Sequence, residues 1–334
     1  MSKGSPSVLL VGPRRMAALA ERLRAVARAA EITVVAAAAE GEPHLASAEI
    51  VVMADRVTPA YATAPRLRWL HLYPTGIDHV AIPALRRAAF PITHKVEASV
   101  VPLAEHVMAL LLAIARRLSD YRDLQLAREW RHHSTWPTTG GLRQLAGSTL
   151  GIVGLGNVGR AVAHRARAFD MRVLGLRRRM AEPVADVDEL LPPERLDGLL
   201  AASDYVVLAT SLNDATWHLI GEAQLAVMRR TAWLINIGRG PLVDQPALVA
   251  ALREERIGGA ALDVFEQEPL PAESPLWAMP NVIVTPHAGG SGPDNESEAG
   301  DEIVANFIRY LEGRPLGGLV DPADIPTRTD LPKH

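Results

Sequence analysis

Gly154-Leu155-Gly156-Asn157-Val158-Gly159 stands directly after a β-branched, apolar run at residues 150–153 and directly before a segment of helical period at 160–169. Strand, glycine turn and helix in that order form the opening unit of a sheet that binds a dinucleotide. Gly154 permits the tight turn, Gly156 lets the backbone approach a pyrophosphate, and Gly159 lets the helix pack on the strand. Asn157 and Val158 complete the loop, where a helix N-terminus offers N–H donors and positive potential to the phosphates. A chain with this element is constrained to an α/β architecture.

The alternation continues on both sides of the turn. Downstream, β-branched runs at 172–176, 205–209, 232–237, 260–264 and 282–285 join residues 149–153 in an expected six-stranded Rossmann sheet. Upstream, runs at 7–11, 32–35, 49–53 and 69–72 alternate with helical segments such as 14–29, which predicts a second parallel, flavodoxin-like sheet. A chain of 334 residues suits two domains with separate cores. The expected division is a substrate-binding domain of residues 1–101 plus 290–334 and a dinucleotide-binding domain of residues 102–289, both doubly wound. The segment 103–118 is apolar nearly all round, so a buried helix is expected there, and 296–311 is amphipathic and stops at Gly313. These two helices are expected to connect the domains, with closure that excludes water. Residues 120–146, with Trp130, Trp136, His132, His133, Pro137, Gly140 and Gly141, read as an irregular arm.

Composition removes several chemistries. Without cysteine there is no disulfide, thiolate nucleophile or cysteine-ligated metal. A net charge of −3 gives no electrostatic reason for nucleic acid or an anionic membrane as partner, so a small molecule is expected. The apolar run at 107–115 is far short of the roughly 20 residues of a membrane span. No basic stretch at residues 1–7 leads into an apolar one, so the cytoplasm is the expected compartment. No metal site is expected: His287 has no ligand three or four residues on, and the adjacent His132 and His133 point apart on a regular element.

Four candidate site residues stand at or just beyond expected strand ends. Arg239 follows 234–237, Asp263 and Glu268 lie at and beyond the end of 260–264, and His287 follows 282–285. In an open parallel sheet the carboxyl ends of strands face the ligand crevice, so distance in sequence is no obstacle to convergence. A guanidinium holds a carboxylate and polarises a carbonyl, and an imidazole beside a carboxylate is stabilised as the imidazolium and donates a proton. That set suits reduction of a 2-keto acid, favoured at mildly acidic pH.

Asn236-Ile237-Gly238-Arg239-Gly240, Leu262-Asp263-Val264-Phe265-Glu266-Gln267-Glu268-Pro269 and Thr285-Pro286-His287 resemble, in order, the three signatures of the D-isomer-specific 2-hydroxyacid dehydrogenases. Further matches run from Thr75-Gly76-Ile77-Asp78-His79 through Ala104-Glu105-His106 to Asn306, nearly the whole chain. The resemblance implies that Arg239 holds the substrate carboxylate and carbonyl, His287 supplies the proton and Glu268 orients the imidazole. It assigns cofactor contacts to the Gly154 loop, to Ile237 and to Asp263 near the nicotinamide carboxamide, and a homodimer through the cofactor domain and the arm. Around Gly76-Ile77-Asp78-His79 the chain is most similar to glyoxylate/hydroxypyruvate reductases. There Thr75 and Gly76 are expected to present backbone N–H groups to the substrate, although Pro74 removes one donor. Ser211 stands where the family usually has proline. Trp136 reads either as reaching a neighbouring subunit's pocket or as an ordinary interface aromatic.

The cofactor's identity is read from the end of the second strand of the sheet. NAD-specific relatives place an acid there for the ribose 2′-hydroxyl, whereas this chain has Arg177-Arg178-Arg179. Guanidinium groups bind a 2′-phosphate by charge-assisted pairs, so NADP is the expected cofactor, with Arg177 and Arg178 as its contacts and NAD as the secondary one. In a chain whose basic residues are nearly all arginine, with Lys3, Lys95 and Lys333 the exceptions, the run also reads as solvated loop charge. Two other functions fit the same residues: a dinucleotide-sensing corepressor or scaffold, and phosphite oxidation by the same triad. Formate dehydrogenase is disfavoured, because such relatives carry an amide where Glu268 stands.

Overall fold

The computed structural model describes residues 5–12, 15–74, 76–77, 82–132, 141–180 and 183–328. It divides into two compact units, one of residues 1–99, 211–215 and 292–334, the other of residues 100–210 and 216–291. Ser211 thus begins a short segment that belongs to the first unit.

The first unit is built on β1 (Ser7–Val11), β2 (Glu31–Val35), β3 (Ile50–Met53), β4 (Trp69–Leu72) and β5 (Ile92–His94). Its strand order is β2-β1-β3-β4-β5, and every pair is parallel. This is the flavodoxin-like order. Successive side chains of a strand point to opposite faces, so an unbroken apolar run is buried on both sides. Val8, Leu10, Ile50, Val52 and Trp69 pack with α1 (Arg15–Val26) and α10 (Asn295–Leu311), while Leu9, Val11, Val51, Met53, Leu70 and Leu72 enter a separate cluster on the other face. The edge strand β5 has only three residues, Ile-Thr-His, too few to show a period, and the sequence reading did not include it.

The second unit holds β6 (Thr149–Val153), β7 (Arg172–Leu176), β8 (Glu189–Leu191), β9 (Tyr205–Leu208), β10 (Trp233–Asn236), β11 (Gly259–Leu262) and β12 (Val282–Val284). Their order is β12-β11-β10-β9-β6-β7-β8, again all parallel. The expected six-stranded sheet therefore has a seventh member, β8, a three-residue edge strand of Glu-Leu-Leu. On one face α4 (Val100–Arg116) and α6 (Asn157–Ala168) pack through Val107, Leu111, Val162 and Ala166 onto Leu150, Ile152, Val207 and Ile235. Helix α4 begins three residues before the expected start, which places Pro102 in its first turn, where its missing N–H breaks no intrahelical bond. The arm is also more regular than expected: residues 118–127 form α5 (Leu118–Ala127) with no buried residue, so no apolar stripe announces it. The remaining helices are α2 (Ala38–Gly41) and α3 (Pro59–Ala62) in the first unit, and α7 (Leu196–Ala202), α8 (Glu222–Val227) and α9 (Gln245–Arg253) in the second. No described helix is long and apolar enough to cross a membrane.

Candidate active site

The strand order sets which residues share the carboxyl edge of the seven-stranded sheet. In register, Val153 pairs with Leu176 and Leu208, Leu208 with Asn236, Asn236 with Leu262, and Leu262 with Val284. The next residues on these strands lead to Gly154, Arg177, Arg239, Asp263 with Glu268, and Thr285 with His287. At about 4.8 Å between strands, the β7 and β10 ends stand roughly 14 Å apart, with the glycine turn between them. Successive strands are added to one side of β6 in β7 and β8 and to the other in β9 to β12, so the strand order reverses at β6, the switch point where ligands bind in such sheets.

The glycine turn fits a pyrophosphate. Gly154 has φ +100°, and a β-carbon on it would stand 2.6 Å from the Ala209 carbonyl oxygen. A β-carbon on Gly159 would overlap the Gly154 carbonyl, whereas one on Gly156 would meet nothing within 4 Å. Two glycines are therefore demanded by packing, and the middle one keeps an open face. Gly156 caps α6 in extended geometry without a side-chain hydrogen bond, and Asn157 and Val158 begin the helix, whose first-turn N–H groups lie outside its ladder. Gly154 N–H donates to Leu176 O at 2.9 Å and Arg177 N–H to Leu191 O at 3.1 Å, which seats Arg177 beside the turn. Arg178 next to it is exposed.

At the other end of the edge, His287 Nδ1 is 2.7 Å from Glu268 Oε2, and the second carboxylate oxygen accepts the Phe265 N–H at 2.9 Å. Glu268 is thus held by its own loop while it holds the imidazole. Arg239 donates from Nη1 to Gly238 O at 2.7 Å, and Asn236 clamps the same turn, donating to Arg239 O and accepting from Gly238 N–H. A β-carbon on Gly240 would overlap the Phe265–Glu266 peptide, so the turn that carries Arg239 lies directly on the loop that carries Glu268.

Asp263 is 1% exposed, and its carboxylate accepts from Thr285 Oγ1 at 2.6 Å, Ala288 N–H at 3.0 Å and Gly289 N–H at 2.9 Å. It fixes the backbone of the His287 loop, a task the sequence reading did not include. Ile237 is 6% exposed and packs in the core of this unit. A further support was missed. His218 donates its N–H to Pro241 O at 2.8 Å, and its Nε2 lies 2.9 Å from Glu266 Oε1. It joins the Arg239 turn to the Glu268 loop, and a lone histidine in an irregular segment gives no sequence signal for this.

In the first unit, Gly76 lies beyond the carboxyl end of β4, followed by Ile77, which is 6% exposed and packs in the core. Thr75, Asp78, His79 and Trp136 lie outside the described residues. A cavity of about 590 Å³, lined by Arg116, Arg143, Ser148 and Tyr205 among others, is at the amino-terminal edge of the larger sheet, away from these strand ends. Among the described residues there is no group of three or more acidic or histidine side chains that fits a metal ion.

Residues 108–289 match the model of the D-isomer specific 2-hydroxyacid dehydrogenase, NAD binding domain. The chain is 36% identical over 271 residues to a glyoxylate reductase of Thermofilum pendens, covering 79% of this chain and 78% of that one. It is 39% identical over 259 residues to glyoxylate/hydroxypyruvate reductase B of an Enterobacter species, covering 77% and 79%. Its structure is similar, with a TM-score of 0.79 and 28% identity over 95% of this chain and 99% of the other, to an NADPH-dependent glyoxylate/hydroxypyruvate reductase from Sinorhizobium meliloti solved with NADP and sulfate. With the family model matched over residues 108–289 and relatives of this identity and coverage, the chain belongs to the D-isomer specific 2-hydroxyacid dehydrogenase family.

Proposed function

We propose that this protein reduces a small 2-keto acid of the glyoxylate/hydroxypyruvate class to the 2-hydroxy acid, with NADPH as the preferred donor and NADH as the weaker one. The observation that carries the reading is the 2.7 Å His287–Glu268 pair, one strand from Arg239 on the edge that also bears the glycine turn. Gly154, Gly156, Asn157, Val158 and Gly159 hold the pyrophosphate, and Arg177 and Arg178 take the 2′-phosphate. Ile237 and Asp263 border the nicotinamide end, where Asp263 has spent most of its acceptor capacity on its own chain. Bound there, the reduced cofactor supplies a hydride to the carbonyl carbon.

Arg239 pairs with the substrate carboxylate and draws electron density toward the carbonyl oxygen. As negative charge develops on that oxygen, His287 donates a proton from Nε2, its Nδ1 being committed to Glu268. Glu268 holds the ring in one orientation through its bond to Nδ1. The balance is one keto acid, one reduced cofactor and one proton giving one hydroxy acid and one oxidised cofactor. Thr75 and Gly76 are proposed as further substrate contacts.

A homodimer fits α5, where Leu118 and Leu126 are 53% and 65% exposed and the following Trp130 is 98% exposed. Large apolar side chains exposed on one short helix and just beyond it favour a covering partner.

The test crosses NADPH and NADH with glyoxylate, hydroxypyruvate, pyruvate and phenylpyruvate in a spectrophotometric assay. Glyoxylate and hydroxypyruvate are expected to be reduced fastest, and His287→Ala is expected to depress kcat at least 100-fold while leaving cofactor affinity nearly unchanged. Absence of turnover across the whole panel overturns the reading in favour of a dinucleotide sensor.

A further inference from the structure

We propose that His106 of α4 is a positioning residue for His287. Its kinetic readout rests on the reductase reading, and its structural readout does not.

His106 Nε2 lies 3.1 Å from Thr285 Oγ1 and 3.6 Å from Asp263 Oδ1, while Thr285 Oγ1 lies 2.6 Å from the same Asp263 oxygen. An ionised carboxylate only accepts, so the Thr285 hydroxyl donates to Asp263, and its lone pair is then open to a donor. That assigns the Nε2 proton to His106 and gives a directed chain: His106 N–H to Thr285 O–H to the Asp263 carboxylate.

The far end of this chain is the His287 backbone. Asp263 accepts the Ala288 and Gly289 N–H groups on its side chain and the His287 N–H on its own carbonyl at 2.8 Å. Three consecutive amides are thus held by one residue. They need holding, because His287 has φ +51°, a left-handed conformation that is unfavourable for a side chain with a β-carbon. The ring of His106 touches the same loop, since a β-carbon on Gly289 would stand 2.8 Å from its Cδ2. Both the polar tip and the edge of one imidazole therefore bear on the segment that sets where His287 points. A hydrogen bond that ends on a buried charge is stronger than a neutral one, and a displacement of about 1 Å in a proton donor is enough to cost two orders of magnitude in rate.

The experiment compares His106→Leu, His106→Gln and Thr285→Val with the wild type. It measures kcat and KM for glyoxylate, the NADPH Kd by fluorescence, and amide hydrogen exchange over residues 285–291. His106→Leu is expected to lower kcat at least tenfold, to leave the NADPH Kd within threefold, and to speed exchange of the 287–289 amides at least tenfold. His106→Gln keeps an N–H donor of similar reach and is expected to restore kcat to within threefold of wild type. Thr285→Val interrupts the same chain one step later and is expected to reproduce the leucine variant, which keeps the test decisive if His106→Leu does not fold. A leucine variant within twofold of wild type in kcat, or a glutamine variant no better than leucine, overturns the proposal. If the wild type reduces no keto acid, the reductase reading fails by itself, and exchange still decides for His106: unchanged protection at 287–289 overturns its role.

Discussion

Replacing His71 by asparagine removes a proton site that the folded chain excludes. His71 lies on β4, is 0% exposed, and has Nδ1 2.9 Å from Thr93 Oγ1, while Nε2 has no partner among the described residues. Burial, with a smaller contribution from His94, pushes its imidazole down from 6.5 to about 3. Between those values the unfolded chain binds one proton more than the folded chain, so the contribution to stability is complete above pH 6.5 and is lost as pH falls. At about 1.4 kcal/mol per unit, the loss is roughly 3 kcal/mol at pH 4.5 and about 4 kcal/mol by pH 3. That is a large part of the 5–15 kcal/mol typical of a domain. The assay is urea unfolding of wild type and His71→Asn from pH 7.5 to 4.5, followed by far-UV circular dichroism. Other titrating groups are common to both proteins and cancel in the difference. Asparagine leaves space where the ring was, so the variant is expected to be about 1–2 kcal/mol less stable at pH 7.5. At pH 4.5 the order is expected to reverse. A difference that stays constant across this range refutes the reasoning. The residue matters to the site because β4 leads into the Gly76 segment, proposed above as a substrate contact.

Replacing Arg177 by Asp and Arg178 by Ser together is expected to raise the KM for NADPH between tenfold and 100-fold, from about 1.5–3 kcal/mol of lost charge-assisted bonding, with little change for NADH; an unchanged cofactor ratio in initial rates counts against the assignment. Gly240→Ala forces a β-carbon into the Phe265–Glu266 peptide, so about 1–3 kcal/mol of stability and a large share of kcat are expected to be lost, and unaltered urea unfolding and turnover contradict the contact. Leu126→Asp combined with Trp130→Ser is expected to convert a dimer to a chain of 36.0 kDa by light scattering, and a wild type already of that mass removes the interface.

The parts of the fold that were legible are those whose physics is local. Each glycine of the turn answers a requirement of its own neighbourhood, a positive φ at Gly154, an open face at Gly156 and close packing at Gly159. Strands buried on both faces leave continuous apolar runs, which is why β1, β3, β6 and β9 could be read without a partner. The missed elements lack that mark: β5 and β8 are three-residue edge strands, and α5 buries nothing.

Arg239, Asp263, Glu268 and His287 were legible as residues at or beyond strand ends, but their supports were not. His287 meets Glu268 across 19 residues and His106 meets Thr285 across 179, and no periodicity extends over such intervals. Local sequence was enough for the alternation of strand and helix, the glycine turn and the residue types available for proton transfer. That β10, β11 and β12 lie side by side, that Gly240 rests on the Glu268 loop, and that Asp263 clamps the left-handed His287 came from the folded chain. The difference is one of range: propensity and period act over a few residues, whereas hydrogen bonds and packing at the site depend on which strands the whole chain brings together.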